Sequence, residues 1–246
     1  MPDEIGAELR RGLDEPSATR LEHMRRAYAA LPPFDAPRII DMGCGRGGPT
    51  LELARLGGGE IVGVDIDRDA LDVLEARAAD AGLADRISVR CRSMAEPGDA
   101  HGAFDIVWSE GSAHILGLAR SLDAWGPLVR PGGGLVIHDA VWMRAEPPAP
   151  VVAQWRRFFP DVDTVAGFAE AITRRGDVLL DAFALPEAHW WDDYYGPLEA
   201  RVAEARDRCG GDAATLAALR PLTEEIKAFR RSRPWFGSAY FVMRRD

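Results

Sequence analysis

Residues 38–50 read RIIDMGCGRGGPT. A short apolar run meets an acid, and glycines follow at 43, 45, 47 and 48. Glycines this dense after a strand-like run permit a tight turn and close approach of the backbone to a ligand. The helix that follows offers its N-terminus to the same ligand. Alone, such a cluster is a weak signal, because a G-x-G-x-x-G fingerprint serves NAD and FAD equally.

Working outward, the chain alternates strand-like and helix-like segments. Ser17 caps a helix reaching Leu31, ahead of the Pro32-Pro33 breaker. The order is then PRIIDMG strand, TLELARLG helix, EIVGVDID strand, DALDVLEARAADAG helix and RISVRC strand. AFDIVWSE is a fourth strand, GLARSLDAWGPLV a helix and GGLVIHDAVW a fifth strand. These strands lack polar alternation, as parallel strands covered by helices on both faces do. The pattern predicts an α/β, Rossmann-like doubly wound sheet. After Trp142 the texture changes: RAEPPAPVV is a proline-rich break, DVLLDAFALP one more strand and FGSAYFVMRR a last one. Two or three helices fill 186–233, with HWWDDYYGP at their front. One domain over 1–246 is expected, with a 36–142 core, a 143–233 helical cap carrying one sheet strand, and a last strand at 235–244.

The 246 residues are 47% hydrophobic and 28% charged, ordinary for a soluble globular protein. The stretch MPDEIGAELRRGLDEP has no apolar h-region, and no apolar run approaches the roughly 20 residues that span a bilayer. Three scattered cysteines suit neither a disulfide framework nor a zinc site, so a cytoplasmic setting without metal is expected. With 39 acids against 30 bases the net charge is −9, a field that repels nucleic acid.

Three details separate this glycine loop from a dinucleotide site. Asp41 stands two residues before the first glycine, where it serves a pyrophosphate poorly but suits a sulfonium or an amino group. The spacing is G-x-G-x-G-G. Asp65 closes the second strand 22 residues after Gly43, where a carboxylate can accept from two ribose hydroxyls.

DMGCGRGG, the strand-end acid of VGVDID and FDIVWSEG resemble the motifs of class I S-adenosylmethionine-dependent methyltransferases. The resemblance covers residues 36–142 and the last strand, and extends to a bacterial small-molecule subgroup of unassigned acceptor. It implies a seven-stranded, mostly parallel sheet with an antiparallel last strand. It also implies S-adenosylmethionine as cofactor and S-adenosylhomocysteine as product. By the same resemblance, Asp41, Gly43 and Gly45 line the methionine part of the cofactor. Asp65 binds the ribose, Ile66 packs on the adenine, Ser93 and Met94 flank it, and Ser109 and Glu110 lie beside the transferred methyl.

The catalytic candidates project from the ends of strands four and five, where loops build sites. Glu110 and Asp139 are read as acceptor-binding carboxylates and His114 as a base, needed where the acceptor must lose a proton. His138 reads as a satisfied core residue. Trp190, Trp191, Tyr194, Tyr195 and Trp142 are read as an aromatic lid over the acceptor, with core packing as the competing account. A small-molecule acceptor and no nucleic-acid or membrane partner are expected, and the aromatic content suits a homodimer or a mobile lid. A non-catalytic cofactor-binding module and an NAD-dependent oxidoreductase stay open as alternatives. The latter lacks the dinucleotide spacing, and Lys227 is the only lysine available to it.

Overall fold

The computed structural model describes residues 2–13 and 15–246, residues 2–4 by backbone alone. Seven strands form one sheet in the order β3-β2-β1-β4-β5-β7-β6. They are β1 Ile39–Met42, β2 Ile61–Asp65, β3 Ile87–Cys91, β4 Phe104–Glu110, β5 Val129–Trp142, β6 Val178–Ala184 and β7 Phe236–Arg244. The first five pair in parallel, while β7 runs antiparallel between β5 and β6. Order reverses between β1 and β4, so the crevice beyond their carboxyl ends is where such sheets bind ligands.

One face of the sheet carries α2 Ala18–Ala29, α3 Gly48–Gly57 and α4 Arg68–Asp80, whose Met24, Leu53 and Leu74 pack with Ile39, Ile61 and Trp108. The other carries α5 Leu118–Trp125 and α7 Val165–Arg174, with Leu122, Trp125 and Ile172 against Ile40, Val107 and Ile137. Burial on both faces explains why β1 is apolar apart from Asp41 and why it shows no alternation.

A third cluster builds the cap. α1 Pro2–Arg10, α6 Ala149–Trp155, α8 Gly196–Arg208 and α9 Ala213–Ser232 pack around Trp142, Trp155, Tyr195, Phe229 and Phe236. Trp155 stacks on Phe236 at 3.8 Å and Tyr195 on Phe229 at 4.0 Å, and large aromatic burials of this kind dominate the packing. The charged start of the chain, read above only for the apolar run it lacks, forms α1 and joins this cluster. The stretch before α8 is a π-helical turn, Trp191–Tyr195, a distortion found frequently at functional sites.

Two caps fix the segments around the crevice. The Ser17 hydroxyl accepts from Arg20 N at 3.1 Å and donates to Asp193 Oδ2 at 2.7 Å, tying the start of α2 to the π-turn. Asp67 caps α4, accepting from Ala70 N at 3.2 Å.

Candidate active site

A cavity of about 310 Å³ lies between the glycine loop, the ends of β4 and β5, and the cap. The loop makes the approach that its composition foretells. Gly43, Gly45 and Gly47 all hold positive φ, and a Cβ at Gly43 or Gly47 would run into Ser112 or Leu74. Gly45 N donates to Asp65 Oδ2 at 2.9 Å and Asp67 N to Asp65 Oδ1 at 3.0 Å. Asp65 thereby pins the loop to β2, and each of its oxygens keeps a second lone pair for a ligand hydroxyl.

Asp41 is fully buried and accepts from Thr50 Oγ1 at 2.7 Å through one oxygen. Its other oxygen, Oδ1, has no hydrogen-bond partner among the described residues, although Asp41 lines the cavity. Burial raises this carboxyl to about 7; the Thr50 bond opposes the rise, and Glu110 and Asp65 add to it. A cationic amino group is the natural complement of such an oxygen, so the residues present fit the methionine end of S-adenosylmethionine. Ile66 is 74% exposed beside Asp65, a flat apolar surface ready for a base. Met94 is half-buried behind Gly43, its carbonyl taking Trp125 Nε1 at 2.8 Å. Ser93 is exposed and turns its hydroxyl to Ala95 N at 3.2 Å.

Two of the expected contacts are committed elsewhere. Ser109 is buried, its hydroxyl 2.8 Å from that of Ser112, which donates to Met42 O at 2.6 Å. It braces β4 against β1 and has no cavity surface. Glu110 is also taken up. Its Oε1 accepts from Trp108 Nε1 at 3.0 Å and Tyr240 OH at 2.7 Å, and Arg20 stands 3.5 Å from Oε2. His138 Nδ1 lies 2.9 Å from the same oxygen, so the carboxylate faces the ring at close range. Burial alone would raise the Glu110 carboxyl. His138, by charge and by contact, together with Arg20 and the Tyr240 hydroxyl, outweighs that and holds it at about 2. Register explains the meeting: Glu110 pairs with His138 across β4 and β5, and His138 with Tyr240 across β5 and β7. Glu110 therefore lines the cavity as an ionised carboxylate anchored by groups of the protein itself.

Asp139 and His114 meet each other. Asp139 Oδ2 accepts from His114 N at 2.6 Å, and Oδ1 lies 3.0 Å from His114 Nδ1. A carboxylate at Nδ1 holds the ring proton there and leaves Nε2 as a base. The ring lines the cavity, a quarter exposed, and packs 4.4 Å from Phe159. So Asp139 acts on His114, where the sequence suggested acceptor binding.

The aromatic stretch divides. Trp190 and Tyr194 line the cavity. Tyr195 is stacked in the cap core, Trp142 is buried against Phe236, and Trp191 faces Arg230 at 4.5 Å, so these three are packing residues and not lid. His138 is buried as expected, yet its Nε2 has no hydrogen-bond partner among the described residues, which corrects the satisfied-core reading. Several residues on the wall escaped the sequence reading: Leu13, Glu15 and Arg20 from the N-terminal segment, Phe159, and the pair His189–Asp193 at 2.9 Å. Their i,i+4 spacing in HWWDDYY was the one signal available.

Residues 39–133 match the family model described as a methyltransferase domain. Methyltransferase GfsG of Streptomyces halstedii is 31% identical over 129 residues, 52% of this chain and 46% of that protein. Nocamycin O-methyltransferase of Saccharothrix syringae is 32% identical over 156 residues, 61% of this chain and 53% of that protein. The chain thus spans about half the length of these curated relatives. A solved S-adenosylmethionine-dependent methyltransferase from Geobacter sulfurreducens, in complex with S-adenosylhomocysteine, shares the fold. It aligns with a TM-score of 0.79 at 19% identity, over 98% of this chain and 96% of that one. Residues 39–133 of this chain thus match a methyltransferase domain, set on a sheet that it shares with a solved S-adenosylmethionine-dependent methyltransferase.

Proposed function

We propose that this protein transfers a methyl group from S-adenosylmethionine to a hydroxyl of a small molecule, with His114 as general base. The observation that carries the reading is the Asp139–His114 pair on the wall of a cavity whose other end is the glycine loop. When bound, the cofactor supplies an activated methyl on a sulfonium, and the protein's work is alignment, worth roughly 7–11 kcal/mol in favourable systems. Asp65 and Ile66 would hold the adenosine, and Asp41 Oδ1 would take the amino group. His114 Nε2 would take the proton of the acceptor hydroxyl, and Asp139 would stabilise the imidazolium that results. Phe159, Trp190 and Tyr194 keep water from the reacting atoms. Among the described residues no helix is long and apolar enough to cross a membrane. The O-methyltransferase among the relatives agrees with a proton-bearing acceptor.

The test is a homocysteine-release assay on purified protein with S-adenosylmethionine and a panel of phenols and alcohols. Turnover with at least one of them, falling roughly 10²–10⁴-fold in His114→Ala, is expected. Turnover undiminished in that variant would remove the base from the account.

A further inference from the structure

Beyond Asp41, which the cofactor's amino group would satisfy, three more buried polar atoms on the cavity side have no hydrogen-bond partner among the described residues. They are His138 Nε2, Ser238 Oγ and Trp190 Nε1. His138 is 4% exposed and Ser238 1%, so neither is explained by contact with bulk water. Leaving a buried donor or acceptor unmade costs roughly 1–3 kcal/mol, and a cluster of them on one wall asks for a ligand. All three residues line the same cavity. Ser238 pairs with Ala140 in the β5–β7 register, two residues from His138 on the same face of the strand, and Trp190 packs 6.3 Å from Phe236 on that same face.

Their donor and acceptor characters define the complement. The Glu110 carboxylate at 2.9 Å favours the ring proton of His138 on Nδ1, which leaves Nε2 as an acceptor. The indole of Trp190 donates only, and the Ser238 hydroxyl does either. A ligand group that both donates and accepts satisfies this set, and a hydroxyl is the smallest that does. A ketone would leave Nε2 unmet and an ammonium would leave the indole unmet. A carboxylate would face the Nε2 lone pair with Glu110 and Asp193 close behind it.

We propose that this wall is a hydroxyl-binding subsite, so that the acceptor carries at least two hydroxyl groups, one presented to His114 and one held here. The inference rests on the methyl-transfer reading for the first hydroxyl only. A matched pair of probes, resorcinol and phenol, differs by a single hydroxyl. Each is titrated into the S-adenosylhomocysteine-loaded protein while the Trp190 indole N–H resonance, assigned through Trp190→Phe, is followed. Resorcinol is expected to shift that resonance saturably with a Kd roughly tenfold lower than that of phenol, as one added hydrogen bond gives. Ser238→Ala is expected to abolish the difference while leaving phenol binding unchanged. Equal affinities, a preference that survives Ser238→Ala, or an indole resonance that neither probe moves overturns the subsite. If S-adenosylhomocysteine fails to load, the methyl-transfer reading falls by itself, and the two probes are compared on the unloaded protein.

Discussion

Glu110→Gln removes one charge from the cavity floor and keeps the shape. The wild-type carboxyl sits at about 2 where 4.5 is ordinary, held down by His138, Arg20 and the Tyr240 hydroxyl against its own burial. That difference is worth about 3 kcal/mol of folding stability at neutral pH, with no discount for solvent, since the side chain is only 4% exposed. Between about pH 2 and 4.5 the unfolded chain binds more protons at this group than the folded one does. The stabilisation is therefore complete above 4.5 and disappears as pH falls through 2. For a chain of this size about 3 kcal/mol lowers Tm by roughly 6–12 °C. Denaturant and thermal unfolding of both proteins at pH 7, 5, 4 and 3 should show the full gap at the first two values and a closing gap at the last two. A variant as stable as wild type at pH 7 would refute the anchor reasoning and return Glu110 to the candidates for acceptor contact. A gap that persists unchanged to pH 3 would show that lost shape, and not lost charge, is responsible.

Asp41→Asn keeps the Thr50 bond and removes a carboxyl that burial raises from 3.8 to about 7, so the cofactor-free protein should gain up to about 4 kcal/mol at pH 8 and nothing near pH 4. The sign is opposite to that at Glu110, because here the folded state binds the extra proton and stability falls as pH rises through this window. Calorimetry on the same variant should show weaker S-adenosylhomocysteine binding. Asp65→Ala leaves two ribose hydroxyls and two loop amides without their acceptor, and Kd for S-adenosylhomocysteine should rise about 5- to 150-fold, roughly 1–3 kcal/mol. Asp139→Asn frees the His114 ring to adopt the wrong tautomer, and kcat should fall roughly 10²–10⁴-fold with KM little changed, as steady-state kinetics on any turned-over acceptor would reveal.

The cofactor half of the molecule was legible because backbone constraints leave marks in sequence. Positive φ at Gly43, Gly45 and Gly47 demands glycine, and the carboxylate that pins the loop must sit at the end of β2. The parallel strands showed themselves by lacking alternation, and the antiparallel return of β7 came with the family resemblance. The acceptor half was legible only in part. That Asp139 belongs to His114 depends on where the turn after β4 folds back, which residues 111–117 do not announce. The anchoring of Glu110 had no sequence signal, because its partners stand at positions 20, 108, 138 and 240 and meet only in the folded chain. In HWWDDYY the aromatics drew attention while their facing was undetermined: a π-turn advances the chain differently from an α-helix, and it sends Tyr195 inward and Trp190 to the cavity. The contribution of the N-terminal segment had no sequence signal, since Glu15 reaches Arg77, at 2.6 Å, only once α4 is in place.

The central claim is that the cavity and its glycine loop are an S-adenosylmethionine site. Calorimetric titration of the purified protein with S-adenosylhomocysteine and with NADH, in parallel, tests it most directly. The account predicts saturable binding of S-adenosylhomocysteine at one site, weakened in Asp65→Ala, and no heat from NADH. Binding of NADH, or S-adenosylhomocysteine affinity indifferent to Asp65, would contradict it.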